Sequence, residues 1–125
     1  IEALNRYKNS FNSYPLDRLA QAGAVASLQD NDYFVACNQK VIALRHDVTQ
    51  ALTQLGFTVL PSQANFVFAK PPASMGETIQ VFEKLRAQGV IVRHFNKPKI
   101  SSYLRITIGT AEQNQRLLDT LTNLV

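Results

Sequence analysis

The sequence predicts an α/β fold of the α+β kind: a small antiparallel or mixed sheet of three to four strands, helices packed mainly on one face, elements in the order α-α-β-β-α-β-β-α. Three observations carry this. Apolar residues recur at spacings of three and four from Phe34 to Leu55, the pattern of one helix face. Beyond Gly56 the period drops toward two, in short β-branched and aromatic runs bounded by Pro, Ser and Gly. With 125 residues, 46% of them hydrophobic, the chain has enough apolar surface for one core, and a single domain over 1–125 is expected.

The elements follow in order. "NSFNSYPLDRLAQAGAVASLQD" opens on capping residues, places Pro15 near a first turn and continues through Ala and Leu, so a helix is expected from about 14 to 28. After "DND", Phe34, Cys37, Val41, Leu44, Val48, Leu52 and Leu55 mark the apolar face of a second helix, ended by Gly56. At 1.5 Å per residue it would be roughly 35 Å long, a length suited to bridging two domains. Cys37, in this stripe, is expected in the core. "FTVL" and "NFVFAK" read as a short strand and a stronger one, with Asn65 holding the strand entry. Pro71, Pro72 and Ser74 form a turn and cap for a helix whose buried stripe is Ile79, Phe82 and Leu85 and whose end is Gly89. "VIVRHF" and "YLRITIG" are strands joined closely enough for a hairpin. A crossover of either sense could link "NFVFAK" to "VIVRHF". Thr110 caps the last helix, with Glu112 in its first turn.

Charge narrows the function classes. The net charge is +4, from 13 Lys and Arg against 9 Asp and Glu. Setting aside Arg93, Lys97, Lys99 and Arg105 leaves nine of each sign, so the excess lies in one short segment. That concentration fits a small anion better than a nucleic acid, which needs basic residues spread over a face and often interleaved aromatics. Lys97 and Lys99, flanking Pro98 in a turn, are read as solvated. One cysteine excludes an internal disulfide and multi-cysteine zinc sites. No apolar run is long enough for a membrane span and the N-terminus lacks the order of a signal peptide, so a cytoplasmic protein is expected, with neither membrane nor nucleic acid as partner.

Alternation singles out two side chains. If Leu104, Ile106 and Ile108 face the core, Tyr103, Arg105 and Thr107 face outward. The same alternation sets Val90 and Val92 against Ile91 and Arg93. Two guanidinium forks from opposite strands of one hairpin call for anions beside them, or for surface carboxylates of the chain itself. No glycine-rich phosphate loop, paired metal-ligand histidines or Ser or Cys with an adjacent base is present, and His46 and His94 read as satisfied or solvated. The chain therefore carries anion-binding groups without catalytic residues or a metal site.

In order and spacing, "KNSFNSYPLDRLAQAGAVAS", "PSQANFVF" and "YLRITIGTAEQNQRLLDTL" resemble the C-terminal part of histidinol-phosphate aminotransferases, fold-type I enzymes that use pyridoxal phosphate. The resemblance extends over essentially the whole chain. It implies the small C-terminal domain of a homodimeric parent that transfers an amino group between histidinol phosphate and 2-oxoglutarate. It assigns the substrate α-carboxylate to Arg105 and the phosphate to Arg93. It also implies a large domain holding the lysine that bonds to the cofactor. None of Lys8, Lys40, Lys70, Lys84, Lys97 or Lys99 sits in that lysine's motif, so no cofactor is expected on this segment and no activity from it alone. Asn12 and Tyr14 would face the large domain, unless Asn12 or Ser13 caps a helix. Related aminotransferases for aromatic amino acids or threonine phosphate share the pattern, and a non-enzymatic small-anion module is the reading from a different class.

Overall fold

The computed structural model describes residues 2–10 and 16–124, which fall into two compact units, 1–36 and 37–125. Asn12, Ser13 and Tyr14, and the roles expected of them, lie outside the described residues. In the first unit, α1 (Glu2–Asn9) carries an i,i+4 ion pair from Arg6 to Glu2 at 2.8 Å. Helix α2 (Arg18–Gln29) begins four residues later than expected. The reason is the cap: Asp17 is extended, and its carboxylate accepts the N–H groups of Leu19 and Ala20 at 2.8 and 2.9 Å. No residue of α2 is buried.

Helix α3 (Asn31–Gln54) starts in the first unit and continues into the second. Its 24 residues correspond to about 36 Å. Burial follows only part of the expected stripe. Val48 and Leu52 are buried, and Leu44 and Leu55 pack against the core. Cys37 and Val41 are half-buried and Phe34 is half exposed, against the expectation for Cys37 and Phe34. Periodicity records which face is apolar, while burial needs a core opposite that face. Past α3, Gly56 has φ +86°, its N–H bonds to Thr53 O, and the N–H of the buried Phe57 reaches back to Leu52 O at 3.0 Å. This pattern closes the helix and turns the chain into the sheet.

The sheet belongs to the second unit. It comprises β1 (Thr58–Val59), β2 (Phe66–Lys70), β3 (Arg93–His94) and β4 (Leu104–Thr107) in the order β1-β2-β4-β3, every neighbouring pair antiparallel. Strands β2 and β3 both oppose β4, so they run the same way on either side of it. Helix α4 (Thr78–Ala87) makes that crossover, which settles the sense left open by the sequence. Val67, Ala69, Leu104 and Ile106 form the inner face, buried together with Val48 and Leu52 of α3, Val81 and Leu85 of α4, and Leu117 and Leu121 of α5 (Ala111–Thr122). The helices of this unit thus cover one face, as expected, and the other stays available.

Two details of α4 differ from the sequence reading. Its buried pair is Val81 and Leu85, with Phe82 packed at the margin, while Ile79 is exposed. Val81 and Leu85 stand one turn apart and meet the core directly; Ile79 falls on the helix flank. Ser74 does not cap the helix either. Residues Ala73–Met75 form a 3-10 turn that ends at Gly76, φ +90°, and the helix starts after Glu77, whose N–H donates to Gln80 Oε1 at 3.1 Å. Gly89 closes α4 as expected, with the N–H of Val90 bonded to Leu85 O. The strand expected at "VIVRHF" pairs only over Arg93 and His94, yet Val90 and Val92 still pack on the core and Ile91 remains exposed. Thr110 caps α5, its hydroxyl accepting from Gln113 N–H at 3.3 Å.

Candidate functional site

The open face of the sheet carries both arginines. In β4 the neighbours of Arg105, Leu104 and Ile106, are buried inward, which sends Arg105 outward. The register then pairs Arg105 with Phe68 of β2 on one side and with Arg93 of β3 on the other, a row of three across adjacent strands. Side chains opposite each other in an antiparallel pair share a face with Cβ atoms about 5 Å apart, and like charges there repel. Neither guanidinium is relieved by a carboxylate: among the described residues the ion pair formed is Arg6 with Glu2. Arg93 is exposed. Arg105 is half-buried, and its Nε is buried without a hydrogen-bond partner.

What the arginines touch is aromatic. Arg93 Cζ lies 4.8 Å from the ring centroid of Phe95, and Arg105 Cζ lies 5.7 Å from that same ring and 5.3 Å from Phe66. These are cation–π distances. Phe68 joins the rings, with its centroid 5.9 Å from Phe66, 6.3 Å from Phe95 and 6.4 Å from Tyr103. The connection from β3 to β4 holds Phe95 in place through turns of its own: Lys97 N–H bonds to Phe95 O, Ser101 N–H to Lys97 O and Tyr103 N–H to Ile100 O. His94 adds a further tie, Nε2 to Ser101 O at 2.7 Å, with its ring 6.0 Å from Phe82. It belongs to β3, opposite Leu104. Lys97 and Lys99 are exposed.

The rest of the open face is held from α3. Arg45 donates to Ala64 O at 2.8 Å, the Ser62 hydroxyl bonds to Phe66 O, and Asn65 accepts the N–H of Ile108 through its carbonyl at 2.9 Å. Asn65 therefore ties the strand entry by its backbone. His46 is exposed. The aromatic set was the part missed by sequence reasoning. Its signal was present in "NFVFAK", where Phe66 and Phe68 alternate with the buried Val67 and Ala69 and must share the face of Arg105.

Chemically, this face offers two permanent positive charges with planar donor forks over an apolar aromatic floor, which suits a small anion or one with two anionic groups. No group of His, Cys, Asp and Glu among the described residues could hold a metal ion, and no helix among them is long and apolar enough to cross a membrane.

Fold and site together define an α/β segment with two arginines on the open face of an antiparallel sheet. The chain belongs to the aminotransferase class I and II family, whose model matches residues 1–121. It is 62% identical over 121 residues to histidinol-phosphate aminotransferase 2 of Psychrobacter arcticus, covering 97% of this chain and 32% of the relative. It is 57% identical over 121 residues to the histidinol-phosphate aminotransferase of Acinetobacter baumannii, with 97% and 33% covered. The chain thus spans about a third of the length of the curated relatives it matches. Its fold is shared with the histidinol-phosphate aminotransferase of Clostridium acetobutylicum, at TM-score 0.77 and 20% identity over 98% of this chain and 37% of that one. The enzyme of Sinorhizobium meliloti, solved with pyridoxal-5'-phosphate, gives 0.77 and 20% over 96% and 34%.

Pyridoxal phosphate is the cofactor of this family in general. Its covalent attachment needs a lysine whose ammonium loses its proton readily, which desolvation achieves. Lys8, Lys40, Lys70, Lys84, Lys97 and Lys99 are all exposed. What the described residues offer is the face of the sheet that carries Arg93 and Arg105.

Proposed function

We propose that this chain is the C-terminal small domain of a histidinol-phosphate aminotransferase, a cytoplasmic homodimer of histidine synthesis whose large domain carries the cofactor. The parent transfers an amino group between histidinol phosphate and 2-oxoglutarate, and this domain closes over the substrate. Arg105 binds the α-carboxylate of glutamate or 2-oxoglutarate by a two-pronged contact, and Arg93 binds the phosphate of histidinol phosphate. The single observation that supports this most is the opposition of Arg93 and Arg105 on one face with no carboxylate of the described residues beside either. Two fixed cations left unpaired on adjacent strands match a pair of substrates that each carry an anionic group. Exclusion of water as the domain closes strengthens both contacts, so binding energy is directed to orienting the amine.

Half-reaction kinetics of the full-length parent test the assignment. Arg105→Ala is expected to lower kcat/KM for the 2-oxoglutarate half-reaction by at least about a hundredfold, the loss of a charge-assisted bidentate contact. Arg93→Ala is expected to act chiefly on the histidinol phosphate half-reaction. If both variants keep both half-reactions intact, the assignment fails. A related parent acting on aromatic amino acids would show its largest kcat/KM with an unphosphorylated aromatic donor. A binding module would reveal itself in calorimetry, where this chain alone would bind histidinol phosphate tightly and one to one.

A further inference from the structure

We propose that Phe95 is a positioning residue: its ring is the shared platform that holds the guanidinium groups of Arg93 and Arg105 side by side over one anion-binding face. The proposal rests on the reading of this face as an anion site and adds a residue outside the arginine pair. Three features single out Phe95. It is the ring that both cations share, at 4.8 Å for Arg93 and 5.7 Å for Arg105, whereas Phe66 is within reach of Arg105 alone. Its own placement is constrained by stacking on Phe68 at an interplanar angle of 27° and by the hydrogen-bonded turns of residues 95–103, closed by His94 and Ser101. It also occupies the place of a counter-ion without behaving as one.

That last point is the physical core. Two guanidinium groups at directly opposed strand positions repel, and without a partner between them their flexible stems splay. A carboxylate in that position would hold them together but would occupy the planar fork that an incoming anion needs. The face of an aromatic ring attracts both cations through its quadrupole and consumes none of their N–H donors. Phe95 touches the arginines and acts through them.

The test compares wild type, Phe95→Leu and Phe95→Tyr in this chain, using the arginine side-chain N–H signals in NMR and titration with inorganic phosphate. Phe95→Leu keeps apolar bulk and lacks the π face; Phe95→Tyr keeps both. In wild type the Nε–H signals of Arg93 and Arg105 are expected to show ring-current shifts; in Phe95→Leu the Arg93 shift should disappear and the Arg105 shift should fall to the part that Phe66 supplies, while both remain in Phe95→Tyr. Phosphate affinity should fall about three- to tenfold in Phe95→Leu and stay within about twofold of wild type in Phe95→Tyr, the range expected from losing partly exposed cation–π contacts. The platform is overturned if the Arg93 shift is absent from wild type, if the Arg93 shift survives or the Arg105 shift is unchanged in Phe95→Leu, or if Phe95→Tyr weakens phosphate as much as Phe95→Leu. Shifts that behave as expected in a chain with no phosphate affinity would instead overturn the anion-site reading and leave the platform standing.

Discussion

Asn114 is the one polar residue buried among the described positions, and it explains how the end of the site strand is fixed. From α5 its side chain accepts the N–H of Gly109 at 2.9 Å and donates to the carbonyl of Gly109 at 3.1 Å, so a single amide satisfies both polar groups of one peptide residue just beyond β4. An apolar replacement leaves those two groups without partners in a buried setting, and Asn114→Leu is expected to lower stability by about 2 kcal/mol. Urea denaturation with an unchanged m value would register this. Asn114→Asp should lose part of that amount, since a carboxylate still accepts from the N–H but has nothing to donate to the carbonyl. A change too small to measure for both would mean that the Gly109 peptide finds other partners. At this scale the sequence was legible where alternation governs. Arg105 could be placed outward because its buried neighbours Leu104 and Ile106 had to face inward, and Arg93 because Val92 packs on the core. Phe95 and Asn114 lie past strand ends, in a loop and a helix, where no period links them to the arginines, and only the three-dimensional path brings them there.

Helix ends in this chain obey local rules closely enough to be argued element by element. Helices α3 and α4 both finish on a glycine in the left-handed region, Gly56 at φ +86° and Gly89 at +74°, each followed by an apolar residue whose N–H reaches back five residues. At Gly89 an added Cβ would also approach Arg116 Nη2 to 3.1 Å. Gly89→Ala is therefore expected to cost about 1–2 kcal/mol in thermal or urea unfolding. Gly23, inside α2, has nothing within 4 Å of an added Cβ and no positive φ. Gly23→Ala should thus raise helicity measured by circular dichroism, through a local gain of about 0.5–1 kcal/mol. A stabilising Gly89→Ala together with a helicity-lowering Gly23→Ala would contradict the reading of both backbones. The caps at Thr110, Gly56 and Gly89 were legible because capping depends on neighbours in sequence. The start of α4 was not: Ser74 offers cap chemistry as good as Glu77, but it lies within the 3-10 turn of Ala73–Met75, whose Met75 is buried in the core. Ile79 was misassigned for a related reason, since a helix this short has several apolar stripes and the sheet selects one.

Over the whole molecule, apolar burial is unevenly distributed, and this sets which parts open first. Every buried hydrophobic residue described lies between Val48 and Leu121. Helix α1 has eight residues and α2 has twelve, none of the latter buried, and Leu19 and Leu28 are 85% and 77% exposed. Helices of that length are marginal in water without tertiary packing, because the unfavourable nucleation step is not offset. The sequence marked α2 as helical correctly and made no helix of Glu2–Asn9; propensity and capping say whether a helix can form and not whether anything covers it. Hydrogen exchange on the whole chain should resolve the difference. Amides of α2 are expected to exchange by local opening, while those of β2 and β4, paired at the centre of the sheet, should exchange only with global unfolding. For an ordinary stability of the core the two sets would differ by at least about a thousandfold, corresponding to about 4 kcal/mol. If α2 proved as protected as β4, its exposed leucines would have to be covered in solution, and self-association, visible as a dependence of that protection on chain concentration, would be the first cause to examine.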